Sequence, residues 1–165
     1  MLGILVLCTG NSARSILAEA LLNSLGEGRV RAYSAGSMPK GQVNPHAFPV
    51  TRALGFEDAA FRSEAWDEFA APGAPKLDLV ITVCDSAAAE ACPVWPGGPA
   101  TIHWGIPDTA AVTGSGAEID AAFQRAARQL RRRIESFLAL PLEDIGRPGI
   151  QARAREIGAQ PDPDA

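Results

Sequence analysis

No stretch of this chain approaches the roughly 18 consecutive apolar residues that a membrane-spanning helix needs. Its first residues also lack the positive region of a secretory signal, and the opening apolar run breaks off at Cys8, so a lipoprotein cysteine is not expected there either. A cytoplasmic protein is the expectation. Basic charge is in short supply as well, with a net charge of −4 at pH 7, which argues against nucleic acid as the main partner. The one basic run, RAARQLRRR at residues 125–133, falls at helical spacing and reads as a solvated helix face. Three cysteines are too few, and odd in number, for a disulfide framework, which leaves reactive thiols or a metal site. The close C-x2–4-C pairing of structural zinc sites is missing, so zinc on these cysteines with His46 or His103 is not expected.

What is present suffices for one globular domain: 165 residues, 47 % of them apolar and 21 % charged. Residues 2–7 form a short apolar run that reads as a buried strand, and 15–25 carry a helical stripe of Ile16, Leu17, Ala20, Leu21 and Leu25 stopped by Gly26. A second strand is expected at 30–34 and a helix capped by Asn44-Pro45 that ends near Gly55. A short helix is expected from Ser63, strands at 77–84 and 100–104, and a long helix at 117–138. Strands alternating with helices imply an α/β fold, a single domain with a four-stranded parallel sheet, doubly wound with helices on both faces. Residues 1–140 would form that domain. The proline-bearing tail at 141–165 is expected to be loosely ordered, with at most one helical turn around 151–157. Ligands of such sheets sit beyond the carboxyl ends of the strands, where Cys8, Cys84 and the loop after Trp104 would converge.

Between Cys8 and Ser15 lie Thr9, Gly10, Asn11, Ser12, Ala13 and Arg14. Small residues let successive backbone N–H groups turn inward as a nest for an oxyanion, and the following helix adds the positive end of its dipole. Arg14 can clamp two oxygens with its planar fork, and Asn11 can brace the loop through its amide. The same field is expected to favour a Cys8 thiolate, with Ser15 donating a hydrogen bond to it. A nucleotide P-loop is excluded, because its lysine is missing.

VLCTGNSARSILAEA resembles the signature of the low-molecular-weight tyrosine phosphatase superfamily, which includes related arsenate reductases. SAGS at 34–37, VITVCDSAAAEACPVWPG at 80–97 and HWGIPD at 103–108 extend the likeness over residues 1–138. The resemblance implies attack of Cys8 on a bound tetrahedral oxyanion, with Asp108 as general acid. Water alone would resolve a phosphatase adduct, whereas a reductase needs further thiols. The reductase branch implies a relay in which Cys84 attacks Cys8, releasing arsenite, and Cys92 then attacks Cys84. A continuous helix over 84–92 would hold those two α-carbons about 12 Å apart, beyond the roughly 7 Å a disulfide tolerates. Local opening of this segment is therefore expected.

No aromatic residue follows Asp108 between Thr109 and Ala122, Tyr33 is the sole tyrosine, and Ala13 stands where many relatives carry a second cysteine. These departures favour an inorganic oxyanion over a phosphotyrosine peptide. Asp108-Thr109 also replaces the usual Asp-Pro, and Asp108 has an ordinary alternative role as the start of a turn. The reading is thus an arsenate reductase, with no tightly bound cofactor and thioredoxin or glutaredoxin with glutathione as thiol reductant. Some members of this branch bind potassium with residues that match Asn11, Glu19 and Ser34. The alternatives are a low-molecular-weight phosphatase acting through a Cys8 phosphocysteine, or a non-catalytic oxyanion-binding or redox-sensing regulator.

Overall fold

The computed structural model describes residues 1–90 and 93–163. Four strands, β1 (Leu2–Leu7), β2 (Val30–Ala35), β3 (Leu79–Thr82) and β4 (Ala100–His103), form one parallel sheet in the order β2-β1-β3-β4. Their apolar runs suit strands buried on both faces: Ile4 through Leu7 and Leu79 through Ile81 are almost wholly inaccessible. The helices α1 (Arg14–Leu25), α2 (Phe48–Ala53), α3 (Asp85–Ala89) and α4 (Gly116–Leu138) supply the cover. Phe123, Ala126, Leu130, Ile134 and Phe137 turn one stripe of α4 into the core, and Ser115 caps its first turn by accepting from the Glu118 N–H. The strand order reverses beside β1, so the carboxyl ends of β1 and β3 open onto one crevice.

Two expectations are corrected. The helix foreseen from Ser63 begins later, as a 3-10 turn at Trp66–Ala70, because Ala65 is held extended against Gly36. Gly36 N donates to Glu64 O and Trp66 N donates to Gly36 O. Gly36 must be glycine here: a Cβ would lie 2.4 Å from the Thr9 carbonyl oxygen.

The tail after Pro141 is not loosely ordered. It forms a further helix, α5 (Gly146–Ala159), whose Ile150, Ala154 and Ile157 make a buried stripe at helical spacing. Pro148 sits in the first turn, where a missing N–H costs nothing. Trp104 Nε1 donates to the Ala154 carbonyl at 2.8 Å, and Gly158 lies so close to β4 that a Cβ would meet the His103 oxygen at 2.4 Å. Among the described residues no helix is long and apolar enough to cross a membrane.

Candidate active site

β1 delivers Cys8 to the floor of the crevice, and residues 9–13 curl above it before α1 begins at Arg14. Asn11 takes a left-handed conformation, φ 44°, which asparagine tolerates better than most residues. Its fully buried amide braces the loop as expected: Nδ2 donates to Ser15 Oγ and to Ser34 Oγ, both at 2.9 Å, and Oδ1 accepts from Glu64 N at 2.8 Å. Met38 N and Lys40 N donate to the carbonyls of Thr9 and Gly10, so a short strap clasps the loop from outside.

A cavity of about 360 Å³ opens over Cys8, lined by the loop, Arg14, Cys84 and Asp108, with Met38 and Lys40 at its rim. Arg14 is nearly buried; its Nη1 donates to the Ile106 carbonyl at 3.0 Å and its Nη2 lies 3.4 Å from Asp108 Oδ1. Asp108 is half exposed and does start a turn, its Oδ1 accepting from Ala110 N at 3.0 Å. The acid loop and the arginine therefore meet, with the carboxylate standing where an oxyanion oxygen would compete for the guanidinium.

Cys8 and Cys84 are both free, both buried and hydrogen-bonded to each other. The thiolate expected on Cys8 is not favoured in this state. The hydrogen bond from Cys8 to Cys84 holds the Cys8 proton in place, burial raises the thiol further, and the opposing field of Arg14 does not offset them. Cys84 is pulled down to about 5, first by the Cys8 hydrogen bond and then by the N–H of Ala87 and by Thr9. Two backbone donors converge on its sulfur besides Cys8, Ala87 N and Thr9 N, both at 3.4 Å, and the Thr9 hydroxyl oxygen lies 3.6 Å away. The two thiols hold one proton between them, and the charge rests on Cys84.

The bond expected from Ser15 to Cys8 is also absent among the described residues, since Ser15 Oγ faces Asn11 instead. Cys92 lies outside the described residues. α3 ends at Ala89, and Glu90 is extended. Thr9 Oγ1 donates to Glu90 Oε1 at 3.2 Å, fastening this segment to the loop.

Asn11, Glu19 and Ser34 do stand in one network. Ser34 Oγ donates to Glu19 Oε2 at 2.6 Å, and burial raises the Glu19 carboxyl to about 7, with Glu64 adding to the effect. Glu19 is thus no solvated helix residue. A buried carboxylate beside a hydroxyl fits a hard cation. The amide oxygen of Asn11 is committed to Glu64 N, so Glu19 and Ser34 are the donors that fit, and Asn11 positions them.

Other contacts had no isolated signature in the sequence. Arg133, read there as one of several solvated arginines, is half-buried and donates to the Gly105 carbonyl at 3.0 Å at the start of the acid loop. His103 bridges Thr82 Oγ1 and Asp85 Oδ1, each at 2.8 Å, tying the start of α3 to β4.

A family model described as low molecular weight phosphotyrosine protein phosphatase matches residues 3–144. The chain belongs to that family. Within it, an arsenate reductase from Halalkalibacterium halodurans is 35 % identical over 131 residues, covering 79 % of this chain and 91 % of the relative. A solved arsenate reductase in an oxidised state shares the fold of this phosphatase-family chain at TM-score 0.66 and 23 % identity, covering 84 % of this chain and 98 % of that one. A thioredoxin-dependent arsenate reductase from Corynebacterium glutamicum superposes at TM-score 0.53 and 24 % identity, over 82 % of this chain and 62 % of its own. The matched region of the family ends at residue 144, before α5 begins.

Proposed function

We propose that this phosphatase-family chain is an arsenate reductase working through a three-thiol relay. The observation that carries the reading is the second thiol: Cys84 lies in hydrogen-bond contact with Cys8 at the base of an oxyanion cup. A phosphatase has no use for a thiol there, because water suffices to release phosphate.

In the relay the loop N–H groups and Arg14 hold arsenate, displacing Asp108 from the guanidinium. Cys8 passes its proton to Cys84 and attacks arsenic, while Asp108 protonates the departing oxygen, which leaves as water. Cys84 then attacks the Cys8 sulfur. The Cys8–arsenic bond breaks, its electron pair stays on arsenic, and arsenic leaves as arsenite while two thiols become a disulfide. Cys92 attacks Cys84 and frees Cys8, and an external dithiol of the thioredoxin or glutaredoxin class reduces the Cys84–Cys92 bond. Opening of the segment after α3 would present that bond to the reductant. Potassium, where bound, would sit on Glu19 and Ser34 and neutralise the buried carboxylate behind the loop.

A coupled assay of NADPH oxidation with arsenate, run separately with thioredoxin and glutaredoxin systems, tests the reading. Cys84→Ser and Cys92→Ser are expected to abolish multiple turnover while leaving arsenate binding in place. Normal reduction by both variants would overturn the relay and favour phosphate ester hydrolysis.

A further inference from the structure

Once Cys8 has handed its proton to Cys84, the second thiol is neutral, and a neutral thiol is a poor nucleophile. Before Cys84 can attack the adduct, that proton must leave a buried sulfur. Ala87 N and Thr9 N point donors at it and cannot take a proton. Among the described residues, the side chain hydrogen-bonded to it besides Cys8 is that of Thr9, with Oγ1 at 3.6 Å. The same hydroxyl donates to Glu90 Oε1 at 3.2 Å, so its lone pairs are turned toward the thiol and its proton toward a carboxylate. Glu90 is half-buried and directly follows α3.

We propose that the Thr9 hydroxyl and the Glu90 carboxylate form a proton relay that deprotonates Cys84 for its attack on the Cys8–arsenic adduct. The proposal rests on the reductase reading above. The Cys84 proton moves to Thr9 Oγ1 as the Thr9 proton moves to Glu90, leaving a neutral carboxylic acid. The Cys84–Cys8 bond forms, the Cys8–arsenic bond breaks, and arsenic gains the two electrons that the thiols lose. Glu90 then returns its proton to solvent. Thr9 touches the reacting sulfur; Glu90 acts through it as a positioning and proton-accepting residue. The other charged groups around the thiol pair do not substitute for it: Arg14 and Lys40 are cations, Asp85 is turned to His103 on β4, and Asp108 makes its hydrogen bond to Ala110 N with none to Cys84 or Thr9.

The test uses the full chain carrying Cys92→Ser, which stops at the Cys8–Cys84 disulfide. The reduced protein is mixed with excess arsenate, quenched in acid over time, and its remaining thiols are counted between pH 6 and 8. Glu90→Gln keeps an oxygen that can accept from Thr9 and loses only the ability to take a proton. It is expected to slow disulfide formation on the order of 10²-fold at pH 7, the scale of a lost general base. Its rate should climb about tenfold per pH unit where that of the parent is flat, because hydroxide must now take the proton. Thr9→Val is expected to match it and Thr9→Ser to recover most of the rate, with phosphate affinity by calorimetry reporting an intact cup throughout. A Glu90→Gln rate within twofold of the parent with the same pH profile would overturn the proton relay alone. A parent that loses no thiols with arsenate would overturn both the relay and the reductase reading on which it rests.

Discussion

Glu19 is predicted to make the stability of this chain fall as pH rises from acid to neutral. Its carboxyl sits almost wholly buried behind the loop and titrates near 7 in the fold instead of near 4.5, because burial disfavours the charged form more than the Ser34 hydrogen bond favours it. Between those two values the folded chain holds a proton that the unfolded chain has released, so unfolding becomes easier as pH climbs through the interval. At about 1.4 kcal/mol for each pH unit, the full interval amounts to about 3 kcal/mol, complete once pH exceeds 7. Glu19→Gln accepts the Ser34 hydroxyl with its amide oxygen and cannot ionise. Urea denaturation at pH 4.5, 6 and 8 is expected to show the parent losing about 3 kcal/mol more than Glu19→Gln across the series. Adding potassium should recover part of that loss at pH 8 and none at pH 4.5, since the cation pairs only with the ionised carboxylate. Parallel stability profiles for parent and variant would refute the assignment of a buried, uncompensated carboxylate.

Arg14→Lys removes both the planar fork and the bond to the Ile106 carbonyl, and phosphate affinity by calorimetry should fall about 10²-fold; unchanged affinity would take the guanidinium out of the cup. Asp108→Asn should lower the rate of arsenate-driven thiol loss by about 10²-fold as the proton donor disappears. It should bind phosphate at least as tightly as the parent, because no carboxylate then competes for Arg14; weaker binding would contradict that competition. Gly158→Ala forces a Cβ onto the His103 oxygen and the Trp104 ring, so α5 must lift from β4 at a cost of about 2 kcal/mol in chemical denaturation; an unshifted midpoint would mean α5 is not seated there.

The sheet and the cup were legible because each left a local signal. β1 and β3 are unbroken apolar runs, and the spacing from Cys8 to Arg14 falls between a strand and a helix stripe. α5 was hidden because Pro141, Pro148, Pro161 and Pro163 dominate the composition of the tail, while its stripe of Ile150, Ala154 and Ile157 is thin and gains its burial from β4 and α4. Arg133 looked like its neighbours because one arginine in a basic run differs from the others only by the helix face it occupies. The charge of the thiol pair was misplaced for a related reason. Helix dipole and arginine are visible around Cys8, but one of the backbone donors that favour a charged Cys84 comes from Thr9, some seventy-five positions away in sequence. Ser15 illustrates the same limit, since its partner is fixed by the buried Asn11 amide and not by its distance from Cys8 along the chain.

The central claim is that Cys84 resolves a Cys8–arsenic adduct by forming a disulfide with Cys8. Its most direct test is one turnover of the reduced Cys92→Ser chain with arsenate, followed by non-reducing peptide mass mapping and quantitation of arsenite. The account predicts a Cys8–Cys84 linked peptide and one arsenite released per chain, with neither product when Cys84 is also replaced by serine. Stoichiometric arsenite without that linked peptide, or arsenate left unreduced by a chain whose three thiols are intact, would contradict it.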